Sequence, residues 1–189
     1  MTLKLALILL AFAGYFCKNT ASRQKCDLTD SLGVRISTIE YKVKAKQEDA
    51  KDFDNGIMPW VSLDDPGKQL DSLIDADEIV LPFAKVTLII DYPLTRQVTF
   101  DLESASKKFS RIGLIKAISE KYHEIYAEEE KSTKTEIVPR DKREGLINRN
   151  ETNGKYGICC HDLSDLDLSS IDVFKNDQGK IYLILNVDS

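Results

Sequence analysis

Histidine is nearly absent from this chain, with only His123 and His161 in 189 residues, and Trp60 is its single tryptophan. So sparse a supply excludes a histidine-rich metal centre. The four cysteines, Cys17, Cys26, Cys159 and Cys160, include one adjacent pair and no second, whereas a structural zinc site takes two separated ligand pairs. No glycine-rich phosphate loop, nucleophile elbow or His-Glu-x-x-His helix occurs. Lysine and arginine form no cluster alternating with aromatics, and the formal net charge is −5. A nucleic-acid groove or an anionic membrane surface needs such a basic footprint, so neither is expected as a partner. There is no internal repeat or low-complexity tract, and beyond Cys17 no long apolar run.

What is present begins at the N-terminus. Lys4 precedes thirteen uncharged residues, Leu5 to Cys17, the pattern of a signal peptide with a short positive region and an apolar core. Cleavage is expected after Ala13 or after Ala21. A permanent transmembrane helix needs about 20 apolar residues, so a membrane anchor over residues 5–17 is the alternative. The expected destination is secretion or the secretory-pathway lumen. Asn150-Glu151-Thr152 is an N-glycosylation acceptor triplet, which gains meaning in that compartment. Cys26 and either Cys159 or Cys160 are disulfide candidates, while direct neighbours pair rarely because the peptide between them constrains the geometry.

The apolar share of 42% suffices for one core. We divide the chain into residues 1–21, the signal peptide; 22–80, an N-terminal strand and acidic irregular region; and 81–189, the core domain. Val34 to Ala45 alternates with a change of phase between Ile36 and Ile39, which predicts a bulged strand. Residues 46–78 carry eight aspartates with turn signals at Asn55-Gly56 and Asp65-Pro66-Gly67; Trp60 is expected to pin them to the core, and Leu70 to Ile74 to form one helical turn. Lys85 to Asp91 and Gln97 to Leu102 read as a β-hairpin. Ser110 is a candidate N-cap. Ile112, Ile115, Ile118, Tyr122, Ile125 and Tyr126 then predict an amphipathic helix over 111–130. Residues 131–157 read as a long charged loop, followed by short strands around Leu166 to Val173 and a strand over 181–187. The class is α+β: a mixed sheet with a hairpin and one long helix packed on it, as in the β-grasp fold.

Cys159-Cys160-His161-Asp162 gathers a thiol, an imidazole and a carboxylate, but neighbours on an extended segment point to opposite faces. His161 and Asp162 are therefore weak catalytic candidates. Asp162, Asp165 and Asp167 are weak candidates for a hard cation, set against leucines 163, 166 and 168 turned to the core. Glu128-Glu129-Glu130 opposes the helix dipole and reads as a solvated helix end or a contact for a basic partner. No cofactor is expected.

Three stretches, Tyr122-x-x-Ile125-Tyr126-x-Glu128-Glu129-Glu130, Asn150-x-Thr152-Asn153-Gly154-Lys155-Tyr156-Gly157-Ile158 and His161-Asp162-Leu163-x-Asp165-Leu166-x-Leu168, resemble an uncharacterised family of small proteins of protists, plants and large DNA viruses. The resemblance covers roughly residues 80 to 188 and carries no known activity, so it transfers no catalytic residue. A Trp-Gly pair often stands in that family where this chain has Cys159-Cys160, which makes the cysteines a local departure. The expected function is a non-enzymatic binding module for a protein or small molecule, its surface built from residues 131–157 and the His161 to Asp167 segment. The alternative is a hydrolase or metal-dependent enzyme using His161, Asp162 and Asp165 with Glu128.

Overall fold

A computed structural model describes residues 32–145 and 148–189. The expected signal peptide and Cys26 lie outside the described residues. Ten strands and one long helix are named in chain order. They are β1 (Val34–Glu40), β2 (Val43–Lys44), β3 (Ile57–Met58), β4 (Val61–Ser62), β5 (Ile79–Leu81), β6 (Lys85–Ile90), β7 (Val98–Glu103), β8 (Phe109–Ser110), α1 (Arg111–Ser132), β9 (Asp167–Lys175) and β10 (Ile181–Asp188).

The main sheet runs β1-β9-β10-β6-β7, with β4 added alongside β9. β6 and β7 pair antiparallel, as do β9 and β10, while β10 lies parallel to β6 at the centre. From β6 onward the order is hairpin, helix and hairpin, and the first and last strands of that stretch meet parallel in the middle of an α+β mixed sheet. It follows from the residues: β6 is buried from Val86 to Ile90, and β10 is buried at Ile181, Leu183, Ile184 and Leu185. Strands apolar on both faces belong in a sheet centre. β1 carries its bulge between Arg35 and Ser37. Through β1 and β4 the N-terminal stretch from residue 34 onward belongs to this same sheet.

The helix starts where Ser110 caps it, its side chain accepting from the N–H of Gly113 at 3.2 Å. Leu114, Ile115, Ile118, Tyr122, Ile125 and Tyr126 are buried against Val86, Leu88, Ile90, Leu183 and Leu185. The stripe continues past the last aromatic to Glu129, which is wholly buried. No helix among the described residues is long and apolar enough to cross a membrane.

Two irregular regions cross over this framework. In residues 46–78 the anchors are Val61 and Leu63, both fully buried, and Leu73. Trp60, expected in that role, is only partly buried and packs edge-on against Phe53, with centroids 5.5 Å apart. Buried Ser119 also donates to the carbonyl of Leu63 at 2.7 Å. Leu70–Ser72 forms the expected single turn, as a 3-10 helix. The second region, residues 133–158, is held differently, and it builds the site.

Candidate functional site

Glu129 is the centre of that second region. Its carboxylate accepts from the backbone N–H of Gly154 at 2.7 Å, of Tyr156 at 2.8 Å and of Gly157 at 3.0 Å. Burial alone would raise this carboxyl; the N–H groups of Tyr156, Gly157 and Gly154 and the Thr152 hydroxyl outweigh burial and hold it below the usual carboxylate range. The glutamate run at the helix end is thus split by environment. Glu128 stays on the surface, where it accepts from Tyr156 Oη at 2.7 Å and pairs with Lys155. The charge that opposes the helix dipole is offset by three oriented N–H groups.

Further bonds extend the clamp. The N–H groups of Thr95 and Arg96 donate to the carbonyls of Gly157 and Tyr156 at 2.7 and 3.0 Å. Asn150 Oδ1 accepts from the N–H of Val138, and its Nδ2 donates to the carbonyl of Glu136 at 2.9 Å. The candidate glycosylation residue therefore ties two parts of the segment together, and Thr152 of the same triplet is buried. Gly157 has φ +68°, and a Cβ there would meet Thr95 Oγ1 at 2.0 Å, so only glycine fits.

The candidate residues of the His161 to Asp167 segment have separate surroundings. Asp162 caps the 3-10 turn Leu163–Asp165, and Asp165 accepts in return from the Asp162 N–H. Both Asp162 oxygens also accept from Arg143, at 2.6 and 2.8 Å; this guanidinium holds the carboxyl below its ordinary range. Asp165 pairs with Arg140 at 3.1 Å. Asp167, on β9, is raised by burial and by Asp188 and Asp165. Leu163, Leu166 and Leu168 are buried. The three aspartates are spent on a cap, two ion pairs and a strand, and among the described residues no group of three metal-ligating side chains converges. The His161 ring lies by Tyr92, centroids 5.6 Å apart, and its Nε2 is 3.4 Å from Ser189 Oγ.

Cys159 and Cys160 are bonded to each other. This corrects the expectation that direct neighbours would stay apart; Cys26, the other candidate, lies outside the described residues. The reason is local. Cys160 has φ +75°, in the left-handed region, so the segment is not extended there and the two side chains turn to the same side.

The remaining feature is a cleft of about 370 Å³ between α1 and the 162–164 turn, lined by Asp64, His123, Tyr126, Glu130, Arg149 and Asp162 among others. It takes in Asp162 but neither His161 nor Glu128. Arg149, from the clamped segment, is only 4% exposed. Its guanidinium lies over the Tyr126 ring, 5.2 Å from the centroid. Its Nε and Nη2 are shielded from solvent and have no hydrogen-bond partner among the described residues. His123 Nε2 stands 2.7 Å from the carbonyl oxygen of Asp64 at the cleft wall. Arg111, which lines another cleft of similar size, is fully engaged by the Glu40 carbonyl and the Glu78 carboxylate.

Sequence reasoning found the two segments that flank the cleft but missed Glu129, Arg143 and Arg149. Glu129 had a signal: it lies four residues after Ile125 and three after Tyr126, on the apolar stripe. No family model, no curated protein and no solved structure matches this chain.

Proposed function

We propose that this protein is a non-enzymatic binding domain that seats an oxyanion, carboxylate or phosphate, on the Nε–Nη2 edge of Arg149. One observation carries the reading: a buried guanidinium whose two neighbouring donors lack partners. Buried donors are almost always satisfied, and a buried charge without one is costly. The Nε and Nη2 donors form the fork that matches a carboxylate or phosphate in bidentate fashion. Asp162 accepts from Arg143 on both oxygens and feels the charge of Arg149, but among the described residues no hydrogen bond joins Asp162 to the Arg149 fork. Asp64 and Glu130 at the wall disfavour polyanions, so the ligand carries one acidic group on an otherwise neutral or cationic body.

The reading is supported by the cleft's taking in Arg149 from residues 131–157 and Asp162 from the His161 to Asp167 segment, the two stretches expected to form a binding surface. The hydrolase alternative draws no support from the separate surroundings of His161, Asp162 and Glu128. Delivery to the secretory pathway belongs to the same proposal. It is supported by Lys4 with the uncharged stretch Leu5 to Cys17.

The test is a titration with acetate and with inorganic phosphate, followed by the NMR resonances of the Arg149 Nε–H and the Tyr126 ring. Saturable shifts that Arg149→Lys weakens and Arg149→Met abolishes, with both variants folded by circular dichroism, are the expected result. A wild-type protein that gives no saturable shift, or an Arg149→Met variant that binds as well, overturns the proposal.

A further inference from the structure

The Cys159–Cys160 bridge has an odd place among disulfides. A cross-link stabilises chiefly by restricting the unfolded chain, and the gain grows with the length of loop it closes. Joined neighbours enclose no intervening residue, so this bridge contributes almost nothing of that kind. The folded segment does not need it as a fastener either. The stretch before it is held by Glu129, and Cys159 itself is fixed by its N–H, which donates to the carbonyl of Pro93 at 2.9 Å. On the other side, Tyr126 Oη donates to the carbonyl of His161 at 3.0 Å.

Access and backbone conformation point another way. Both cysteines are partly exposed, where an attacking thiolate reaches sulfur. Cys160 holds φ +75°, a left-handed conformation that a non-glycine residue rarely adopts. The bridge is a covalent restraint on this residue, so opening it gives Cys160 freedom. The anchors on both sides confine that freedom to Cys160 and His161, whose ring rests by Tyr92.

We infer that Cys159–Cys160 is a reversible thiol–disulfide exchange site, opened by a dithiol and closed again by a disulfide. A thiolate of the dithiol attacks one sulfur of the pair; the S–S bond breaks, a mixed disulfide forms and the other cysteine leaves as a thiolate that takes a proton from water. The second thiol of the reductant, deprotonated, then displaces the first cysteine. The products are two cysteine thiols and the reductant's own disulfide. Two electrons have passed from the dithiol to the protein, and the reverse sequence returns them.

The full chain, isolated without reductant, tests this. Trypsin releases residues 156–175 as one peptide, since neither lysine nor arginine lies between Lys155 and Lys175, and Cys17 and Cys26 stay outside it. Without reductant this peptide is expected two hydrogens lighter than the dithiol form and closed to iodoacetamide. Native protein treated with dithiothreitol is expected to take two alkyl groups on the peptide, faster than the chain unfolds by circular dichroism. The His161 resonances should shift meanwhile, and oxidised glutathione should restore the light form. Phenylarsine oxide should bind the reduced chain one to one through this pair, and Cys160→Ser should lose that capture. Free thiols in the untreated protein, or labelling only at the rate of global unfolding, overturn the inference. So does a reduced pair that oxidised glutathione fails to close.

Discussion

Residues 46–78 and 133–158 are both long, polar and poor in regular structure, yet they are held to the same core by opposite means. The first is nailed down by apolar side chains, Val61, Leu63 and Leu73, whose burial removes surface from water. The second keeps its backbone in place by giving three N–H groups to a single carboxylate on α1 and by accepting, on two of its carbonyls, the N–H groups of Thr95 and Arg96 in the hairpin loop. The lesson is that the hydrophobic anchor is insensitive to pH and forgiving of small shifts, whereas the polar anchor is directional, titratable and costly to break in part. The candidate cleft sits on the polar side, where Arg149 is supplied by the clamped segment.

Breaking each anchor separately should expose the difference. Glu129→Ala leaves three buried N–H groups without an acceptor and should cost about 3–5 kcal/mol. Denaturant unfolding measures the loss, and hydrogen exchange should rise at Gly154, Tyr156 and Gly157 while residues 61–73 stay protected. Leu63→Ala should cost about 2–5 kcal/mol and reverse that exchange pattern. Gly157→Ala, facing Thr95 and a positive φ, should cost about 1–3 kcal/mol, with faster exchange in the second region only.

Acid sharpens the contrast further. Because the folded Glu129 carboxyl sits below its ordinary value, its contribution is complete above the unfolded carboxyl pKa of about 4.3. It is lost as pH falls through that value and then the folded one. Stability of the wild type and of Leu63→Ala should therefore drop over that window, and Glu129→Gln should show a shallower drop. The smallest effect belongs to Glu128→Gln: Glu128 and its ion-pair partner Lys155 are about half exposed, and thermal unfolding should move little.

The fold was largely legible because its elements carry period. Alternation over Gln97 to Leu102 and three- and four-residue steps from Ile112 to Tyr126 gave the hairpin and helix to within two residues at each end. The clamp was not legible in this way, because a glutamate among glutamates reads as solvent-facing unless its position on the helical stripe is weighed. Arg149 sits in a segment without period, so nothing local distinguishes it from Arg140 or Arg143. The Cys159–Cys160 bond was hidden by the assumption of an extended backbone, which the left-handed turn at Cys160 removes. Trp60 misled by size: Leu63 is smaller, but its carbonyl meets Ser119 on the helix.

The parallel pairing of β10 with β6 sets the order in which the chain can be finished on a ribosome. The β6–β7 hairpin and α1 can form early, since their contacts are local. The middle of the sheet stays open until β10, the last strand, emerges and slides between β6 and β9. Until then the second edge of β6, at Thr87, Leu88 and Ile89, lacks its partner, so the nascent chain presents an open strand edge flanked by apolar surface. Non-local closure of this kind is slow, and a chaperone or translocation machinery that shields β6 during that wait would protect the vulnerable moment in the life of this domain.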